Sequence, residues 1–234
     1  MQINEFVEEL KKINIEINEN QLTQLEKYYE ILVEENEKIN LTGITKKEEV
    51  YLKHFYDSLT LSKIVDLNEI ESLCDIGTGA GFPGLVIKIL FPKINITLID
   101  SLNKRIDFLN KVIEQLGLKN IETIHARIEE YGIKNREKYD IVTARAVAPL
   151  NILLEYSIPL VKKNKYFIAM KSNVEEELKN INNATRELNI EINDMIEFKL
   201  PIEESKRTLI KFKKLEVTKN KYPRRYAIIK QKPL

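Results

Sequence analysis

The fold of this chain is decided by one glycine-rich stretch, Asp75-Ile76-Gly77-Thr78-Gly79-Ala80-Gly81-Phe82-Pro83-Gly84. The stretch follows a short apolar run, residues 72–76, which is typical of a buried strand, and it precedes residues 85–90, which have the character of a helix. Glycines let the backbone turn tightly and approach a ligand without a Cβ atom in the way. A tight turn could need glycine for its geometry alone, but in an open α/β sheet ligands bind at this position, beyond the carboxyl end of a strand.

Strands and helices alternate after this turn. The strand-like segments are residues 95–99, 121–125, 139–144, 166–170, 190–198 and 208–213, and a helix is predicted over residues 104–116. The alternation predicts βαβ crossovers, and the last two segments, joined by a short loop with Pro201, predict a hairpin. We therefore expect an α/β fold with a seven-stranded sheet that is mostly parallel and has one antiparallel strand.

The N-terminal part has a different pattern. Apolar residues recur at helical spacing from Phe6 to Ile13 and from Leu22 to Val33, with an end near Asn36, and further helices are predicted over residues 46–55 and 57–65. The sequence thus predicts an N-terminal helical extension, residues 1–65, and a ligand-binding α/β domain, residues 66–234, with a basic C-terminal tail.

Charge is distributed unevenly along a chain whose net charge is only +1. Residues 1–37 hold ten Glu and three Lys, whereas residues 205–234 hold eleven Lys or Arg and one Glu. A basic segment on a nearly neutral protein favours a polyanionic partner, although a solvated, charge-balanced surface would give the same composition.

The composition excludes several classes of site. The single cysteine, Cys74, rules out an intrachain disulfide and a cysteine-based zinc or iron–sulfur site. No apolar run approaches the roughly 18 residues of a transmembrane helix, and the first residues lack the basic and apolar regions of a signal peptide. We expect a cytoplasmic monomer without a metal and without a membrane partner.

The spacing of the glycines discriminates between cofactors. The dinucleotide fingerprint G-x-G-x-x-G would need glycine at position 82, where the chain has Phe82, and the P-loop pattern is absent. Asp-x-Gly-x-Gly-x-Gly after a first strand instead resembles motif I of the class I S-adenosylmethionine (SAM)-dependent methyltransferases, a Rossmann-like fold. The resemblance implies that Gly77, Gly79 and Gly81 wrap the methionine part of SAM. Asp100, at the end of the second predicted strand, could accept hydrogen bonds from both ribose hydroxyls, an interaction that dehydrogenases share.

A longer set of motifs resembles the RsmG (GidB) family, bacterial methyltransferases of small-subunit ribosomal RNA. No single motif is specific, but the set runs over nearly the whole chain in the order of the family. The motifs are Asn40-Leu41-Thr42 with Ile44, His54-Phe55-Tyr56-Asp57-Ser58-Leu59, the glycine-rich stretch, Asp100-Ser101-Leu102-Asn103-Lys104-Arg105, Arg127-Ile128-Glu129, Thr143-Ala144-Arg145-Ala146-Val147-Ala148-Pro149-Leu150, Lys221-Tyr222-Pro223-Arg224 and Pro233-Leu234.

This resemblance implies methylation, with SAM, of N7 of a guanine in the decoding-region loop of 16S rRNA in the small ribosomal subunit. The cofactor contacts that it carries over are Gly77, Phe82, Ile128, Glu129 and Arg145. The chain departs from the family at Thr78, where Ser or Ala is frequent, and at Ile128, where Ala is common. An Ile128 side chain packed on the adenine would alter the fit of the cofactor. Glu129 could also be an exposed acid favoured by a helix dipole.

The chemistry of this reaction agrees with what the sequence lacks. Guanine N7 carries a lone pair and no proton, so alignment of the reacting atoms is the main requirement. No Asn/Asp-Pro-Pro-Tyr/Phe motif follows the fourth strand, and Cys74 lies inside the first strand, where a core residue is favoured over a nucleophile. No catalytic residue is assigned; Arg145, at the mouth of the crevice, is the candidate for positioning the substrate or the methyl group, with a surface ion pair as the alternative.

Several basic residues are candidates for contacts to RNA. Tyr222 and Tyr226 lie among the last of them and could stack on looped-out bases or pack in the core. His54 could serve the substrate or pair with a carboxylate, and a solvated surface is the alternative for the others. The candidates are His54, Lys104, Arg105, Lys171, Arg207, Lys221, Arg224 and Arg225.

The motifs are compatible with three functions: a 16S rRNA guanine-N7 methyltransferase, a SAM-dependent methyltransferase of a small molecule or protein, and a non-enzymatic RNA-binding module with a decayed SAM fold. The intact glycine-rich stretch and Asp100 argue against the third, because a decayed site would have no reason to keep both. The basic tail and the N-terminal motifs argue against the second. The sequence thus favours the first.

Overall fold

A computed structural model describes all 234 residues of the chain. Its strands are β1 (Ser72–Ile76), β2 (Asn95–Asp100), β3 (Ile121–His125), β4 (Tyr139–Arg145), β5 (Val161–Lys171), β6 (Ile190–Lys199) and β7 (Lys206–Lys214). Its α-helices are α1 (Ile3–Lys12), α2 (Glu19–Ile39), α3 (Lys47–Val50), α4 (Asp57–Leu59), α5 (Gly84–Leu90), α6 (Asn103–Gln115), α7 (Ile128–Lys134), α8 (Leu150–Ser157), α9 (Glu175–Leu178), α10 (Asn182–Leu188) and α11 (Tyr226–Gln231). Short 3-10 helices cover Thr60–Lys63, Leu67–Glu69 and Ile158–Leu160, and a π-helix covers Tyr51–Tyr56.

The seven strands form one sheet in the order β3-β2-β1-β4-β5-β7-β6. Strand β1 pairs in parallel with β2 and β4, whereas β7 lies between β5 and β6 and is antiparallel to both. The order reverses at β1, because the chain first builds outward to β3 and then returns to place β4 on the other side. This confirms the predicted mostly parallel sheet with one antiparallel strand, and it leaves a crevice at the carboxyl ends of β1 and β4, where ligands bind in such sheets.

Both faces of the sheet are covered along β1, β2 and β4, whose residues are all buried except Ser72, Asn95 and Arg145. Leu73 points to the face covered by the N-terminal helices, α5 and α6, whereas Cys74 and Ile76 point to the face covered by α8 and α10. Cys74 is fully buried, and burial raises the pKa of its thiol. Its environment is that of the core residue expected from its position in the strand.

The N-terminal helices hold the glycine-rich stretch in place. Tyr28 on α2 is fully buried and donates a hydrogen bond to the main-chain carbonyl of Ala80. Gln21 on the same helix donates to the carbonyls of Ile89 and Leu90 at 3.1 Å, which belong to the last turn of α5. Helix α2 thus supplies hydrogen bonds to the turn between β1 and α5 and to the C-terminal end of α5.

Several elements differ from the sequence-based expectation. Helix α2 runs to Ile39, three residues beyond the predicted end, because Asn40 ends it in a left-handed conformation with φ 48°. The predicted helices of residues 46–55 and 57–65 are found as α3, the π-helix, α4 and a 3-10 helix. Helix α7 and the α-helices after β4 are not predicted, since they have four to eight residues and so too few turns to show a clear 3.6-residue period. None of the helices is both long and apolar enough to span a membrane.

Candidate active site

The glycine-rich stretch needs its glycines for different reasons. Gly77, Gly79 and Gly81 all have positive φ angles, 64°, 61° and 96°, which side-chain-bearing residues rarely adopt. A Cβ atom at Gly77 would lie 2.7 Å from Cγ2 of Val147, whereas one at Gly79 would meet no atom within 4 Å. Gly77 is therefore required both for its conformation and for the close approach of the loop that follows β4.

A cleft of about 430 Å³ opens where β1, β2, β3 and β4 end. It adjoins Gly77 on one side and the start of α7 on the other. Its lining residues are Gly77, Asp100, Ser101, Arg105, Arg127, Ile128, Glu129, Ala146, Val147, Ala148, Ile152, Tyr156, Tyr226 and Lys230. The cleft thus brings together Gly77, Asp100, Ile128 and Glu129, four residues that the sequence predicts to contact the cofactor.

The residues of this cleft fit SAM. Small-molecule sites occupy about 300–1,000 Å³, and the cleft falls within that range. Asp100 and Glu129 place two buried carboxylates on its wall, where they can accept hydrogen bonds from hydroxyl and amino groups. At the base of the glycine-rich stretch, Oδ1 of Asp75 is buried and has no hydrogen-bond partner within the protein. Asp75 does not line the cleft, so the fit of SAM rests on the volume of the cleft and on Asp100 and Glu129.

Asp75 and Asp100 each accept hydrogen bonds from main-chain and side-chain donors. Asp75 Oδ2 accepts from the Thr78 hydroxyl at 2.6 Å and from the Gly84 N–H at 2.8 Å, yet burial raises the pKa of Asp75 to about 6. Asp100 accepts from the N–H groups of Leu102 and Gly79 and from Nη1 of Arg105 at 3.2 Å. Because a carboxylate has about four acceptor positions, Asp100 retains capacity for a ribose hydroxyl.

Four of the predicted cofactor residues do not line the cleft: Gly79, Gly81, Phe82 and Arg145. Gly79 acts on it only through its N–H bond to Asp100, at 2.9 Å. Gly81 faces away, because a Cβ atom there would lie 2.4 Å from Leu85 and 2.8 Å from the hydroxyl of Tyr28. Phe82 is 5% exposed and stacks on His54 with ring centroids 4.4 Å apart. The side chain of Phe82 therefore packs against the N-terminal extension, and a cofactor contact through its main chain stays a prediction.

A second pocket, of about 530 Å³, lies beside the cleft and shares Ala146 with it. Ala146 has a φ angle of 56°, a left-handed conformation that costs about 1 kcal/mol or more for alanine and that clusters at functional sites. The pocket is lined by Ile44, Lys53, His54, Asp57, Thr60, Arg145, Ala146, Met170, Lys171, Ser172, Asn173, Glu177, Arg207 and Leu209. Predicted site residues from four parts of the chain, His54, Arg145, Lys171 and Arg207, thus meet around one cavity.

Asp57 organises the cations of this pocket. It is 4% exposed, and its Oδ2 accepts from Nη1 of Arg145 at 3.0 Å while its Oδ1 accepts from Nε of Arg207 at 2.9 Å. Arg145 also donates to the carbonyl of Lys53 at 3.0 Å. Arg145 therefore lines the second pocket rather than the cofactor cleft, and the surface ion pair considered for it is a pairing with a buried carboxylate.

His54 is held as a neutral ring. Burial, with a smaller effect of the nearby Arg145 cation, lowers the pKa of His54 to about 3. Nε2 lies 2.9 Å from the hydroxyl of Thr42, and Nδ1 lies 3.1 Å from the carbonyl of Lys53. A neutral imidazole that donates at one nitrogen and accepts at the other satisfies both contacts.

The remaining predicted RNA contacts are dispersed. Arg105 lines the cofactor cleft and pairs with Asp100, and Lys171 pairs with Glu177 at 2.8 Å within the second pocket. Lys104, Lys221, Arg224 and Arg225 line neither cavity. The position of Arg224 agrees least with the predicted contact to RNA. Its guanidinium binds both carboxylate oxygens of the fully buried Glu155, at 2.6–3.1 Å. That geometry anchors the C-terminal segment.

The sequence does not single out Asp57, and it leaves the positions of Tyr222 and Tyr226 open. Asp57 lies inside a quoted motif, His54-Phe55-Tyr56-Asp57-Ser58-Leu59, but its pairing with residues 88 and 150 positions away leaves no local signal. For Tyr226 the sequence leaves stacking on RNA bases and packing in the core as alternatives, and the structure places it on the wall of the cofactor cleft with Arg127 and Lys230. Tyr222 is buried, with its hydroxyl 2.9 Å from Glu187, as in the packing alternative.

Comparisons with known proteins agree with this architecture. The family model of GidB, rRNA small subunit methyltransferase G, matches residues 21–209. The chain is 50% identical over 237 aligned positions to ribosomal RNA small subunit methyltransferase G of Bacillus subtilis, covering 100% of this chain and 99% of that protein. It is 49% identical to the protein of that name from Lysinibacillus sphaericus, with 98% of each covered.

Solved structures share the fold at low identity. A SAM-dependent methyltransferase from Aquifex aeolicus has a TM-score of 0.54 at 17% identity, covering 71% of this chain and 93% of that one. TYW2 of M. jannaschii, in complex with AdoMet, has a TM-score of 0.53 at 15% identity, covering 63% of this chain and 71% of that one. The sheet order, the glycine turn, the paired cavities and the full-length identity lead to one conclusion: the chain has the fold of SAM-dependent methyltransferases and belongs to the rRNA small subunit methyltransferase G family.

Proposed function

We propose that this protein transfers the methyl group of SAM to N7 of a guanine in the decoding-region loop of 16S rRNA. One observation carries the proposal: a cofactor cleft with two buried carboxylates adjoins a pocket with paired arginines, and the two cavities meet at Ala146. Carboxylates suit the hydroxyl and amino groups of the cofactor, whereas guanidinium groups suit guanine O6 and phosphate oxygens. Family membership names small-subunit rRNA as the substrate of the relatives.

The residues of the second pocket suit a reaction without a general base. When bound, the cofactor supplies a methyl group activated by a sulfonium sulfur. Guanine N7 bears no proton that would have to be removed, so the protein has only to align N7 with that methyl group and to exclude water. His54 remains neutral above a pH of about 3, and Arg145 is held by Asp57 and the carbonyl of Lys53. We assign Arg145 the role of positioning the base or its phosphate.

The N-terminal extension, residues 1–65, contributes to both cavities in this proposal. It supplies Asp57 and His54 to the second pocket, and its Tyr28 hydroxyl donates a hydrogen bond to the glycine-rich stretch beside the cofactor cleft. The domain of residues 66–234 supplies the cofactor cleft. We propose that the enzyme acts on RNA in the cytoplasm as a monomer.

Transfer of tritium-labelled methyl groups tests the proposal. The purified protein is incubated with labelled SAM and, separately, with small subunits that lack the modification, with deproteinised 16S rRNA and with total protein and metabolite fractions of the same cells. Label in the rRNA, with a rate that falls steeply with salt because phosphate contacts release counterions, is the expected result. Label only in the protein or metabolite fraction would establish the alternative methyltransferase function, and SAM binding without transfer to any fraction would also contradict the proposal.

A further inference from the structure

The C-terminal helix α11 ends the basic tail, yet it lies at the cofactor cleft. Tyr226 and Lys230, one turn apart on α11, both line that cleft beside Arg127, the residue that precedes α7. The helix is anchored there by the fully buried Ile229 and by the pairing of Arg224 with Glu155. The position of Tyr226 is therefore set by the core.

Two neighbouring side chains fix the position and orientation of the planar Arg127 guanidinium. Its Cζ lies 3.8 Å from the centroid of the Tyr226 ring, the distance of a close cation–π contact. Its Nε donates to Oε1 of the buried Glu129 at 2.6 Å, which fixes the orientation of the guanidinium. The side chain nevertheless keeps 44% of its surface exposed and lines the cleft.

We propose that Arg127 stacks on the purine ring of the cofactor, with Tyr226 as its support and Glu129 as the group that orients it. The acid that ends the second strand of such sheets bonds the ribose, a role predicted here for Asp100, and Arg127 follows the neighbouring strand β3 and lines the same cleft. A purine bound next to that ribose would therefore be within reach of Arg127. Planar guanidinium groups stack well on aromatic faces, and lysine does not. Arg127 and Tyr226 are thus assigned to cofactor binding. The inference rests on SAM as the cofactor and is independent of which RNA base is methylated.

Calorimetric binding of S-adenosylhomocysteine, the demethylated product, tests the proposal without turnover. Tyr226→Ala is expected to weaken binding about threefold to tenfold, whereas Tyr226→Phe, which keeps the ring, stays within about twofold. Ile228→Ala is the matched control, because Ile228 lies on the same helix, is 47% exposed and does not line the cleft. Arg127→Lys keeps the positive charge but lacks the planar guanidinium, and it is expected to weaken binding of S-adenosylhomocysteine as much as Tyr226→Ala does.

Steady-state kinetics separate this role from the predicted stacking on RNA. Tyr226→Ala is expected to raise KM for SAM and to leave KM for the small subunit unchanged. A raised KM for the RNA with unchanged binding of S-adenosylhomocysteine would overturn the proposal, as would an Arg127→Lys variant that binds like the unaltered protein. Absence of S-adenosylhomocysteine binding by the unaltered protein would instead contradict the cofactor assignment itself.

Discussion

Replacing Asp57 with alanine removes the one carboxylate that two arginines of the second pocket share. Arg145 and Arg207 have 16% and 21% of their side chains exposed, so both would lose their partner in a partly desolvated environment. Breaking a buried ion pair from one side costs about 3–5 kcal/mol, and the remaining exposure of the arginines reduces this to about 3 kcal/mol. For a chain of this size, 3 kcal/mol lowers the melting temperature by about 6–12 °C.

Urea unfolding at pH 7 measures this loss directly, as a shift of the midpoint at constant slope. Asp194→Ala is the matched control, because Asp194 is exposed and lies 3.7 Å from Lys211, so its pair is worth at most about 1 kcal/mol. The double variant Asp57→Ala/Arg207→Ala should be less destabilised than the sum of the single variants, since the second change removes a cation that the first left unpaired. A loss below about 1 kcal/mol for Asp57→Ala, or strict additivity, would refute the view that Asp57 organises the pocket.

Three further predictions concern the glycine-rich stretch and the histidine that packs on it. Gly77→Ala should abolish SAM binding, because its Cβ would meet Val147 at 2.7 Å, whereas Gly79→Ala carries only the backbone cost of about 1 kcal/mol; equal binding by both variants in calorimetry would contradict this. Because the pKa of His54 is lowered to about 3 in the folded protein, the unfolded chain binds more protons below pH 6.5, and acidification from pH 6.5 to 5 destabilises the protein. In His54→Gln this loss of unfolding free energy should be smaller by up to about 1.4 kcal/mol per pH unit. If chemical denaturation gives the same dependence of unfolding free energy on pH for both proteins, the ring is not buried and neutral. Tyr28→Phe leaves a loop carbonyl unpaired and should cost about 1–3 kcal/mol and weaken SAM binding, so an unchanged unfolding midpoint would show that the hydroxyl does not hold the loop.

The parts of the fold that the sequence predicts are those with a local signal. The bounds of β1 and β3 are as predicted, and those of β2 and β4 agree within one residue. Strands β1, β2 and β4 are found because a buried parallel strand is a short apolar run ended by a turn. Strand β5 begins five residues before its predicted start, since residues 162–165 are polar and carry three lysines. Pairing with β4 occurs at Val161 and again from Tyr166 onward, and residues 162–165 lie in the register shift between them, so neither their pattern nor their pairing predicts a strand.

The active site divides in the same way. Gly77, Asp100 and Glu129 are found from their distance to predicted strand ends, and the structure places all three on one cleft. Local sequence patterns do not identify the partners of Arg224 and Tyr226. Arg224 pairs with Glu155, 69 positions earlier in the chain, and Tyr226 with Arg127, 99 positions earlier. A run of basic residues is read as one surface, although packing distributes its members between an anchor, a cleft wall and solvent.

The most direct test of the central claim is to map the modification in cells. A bacterial strain that lacks its own enzyme of this family would express this chain, and its 16S rRNA would be treated with reagents that cleave at 7-methylguanine. We predict one new cleavage site, in the decoding-region loop, that is absent when the chain carries Gly77→Ala. An rRNA without 7-methylguanine at that loop, in cells where the protein is folded and binds SAM, would contradict the account.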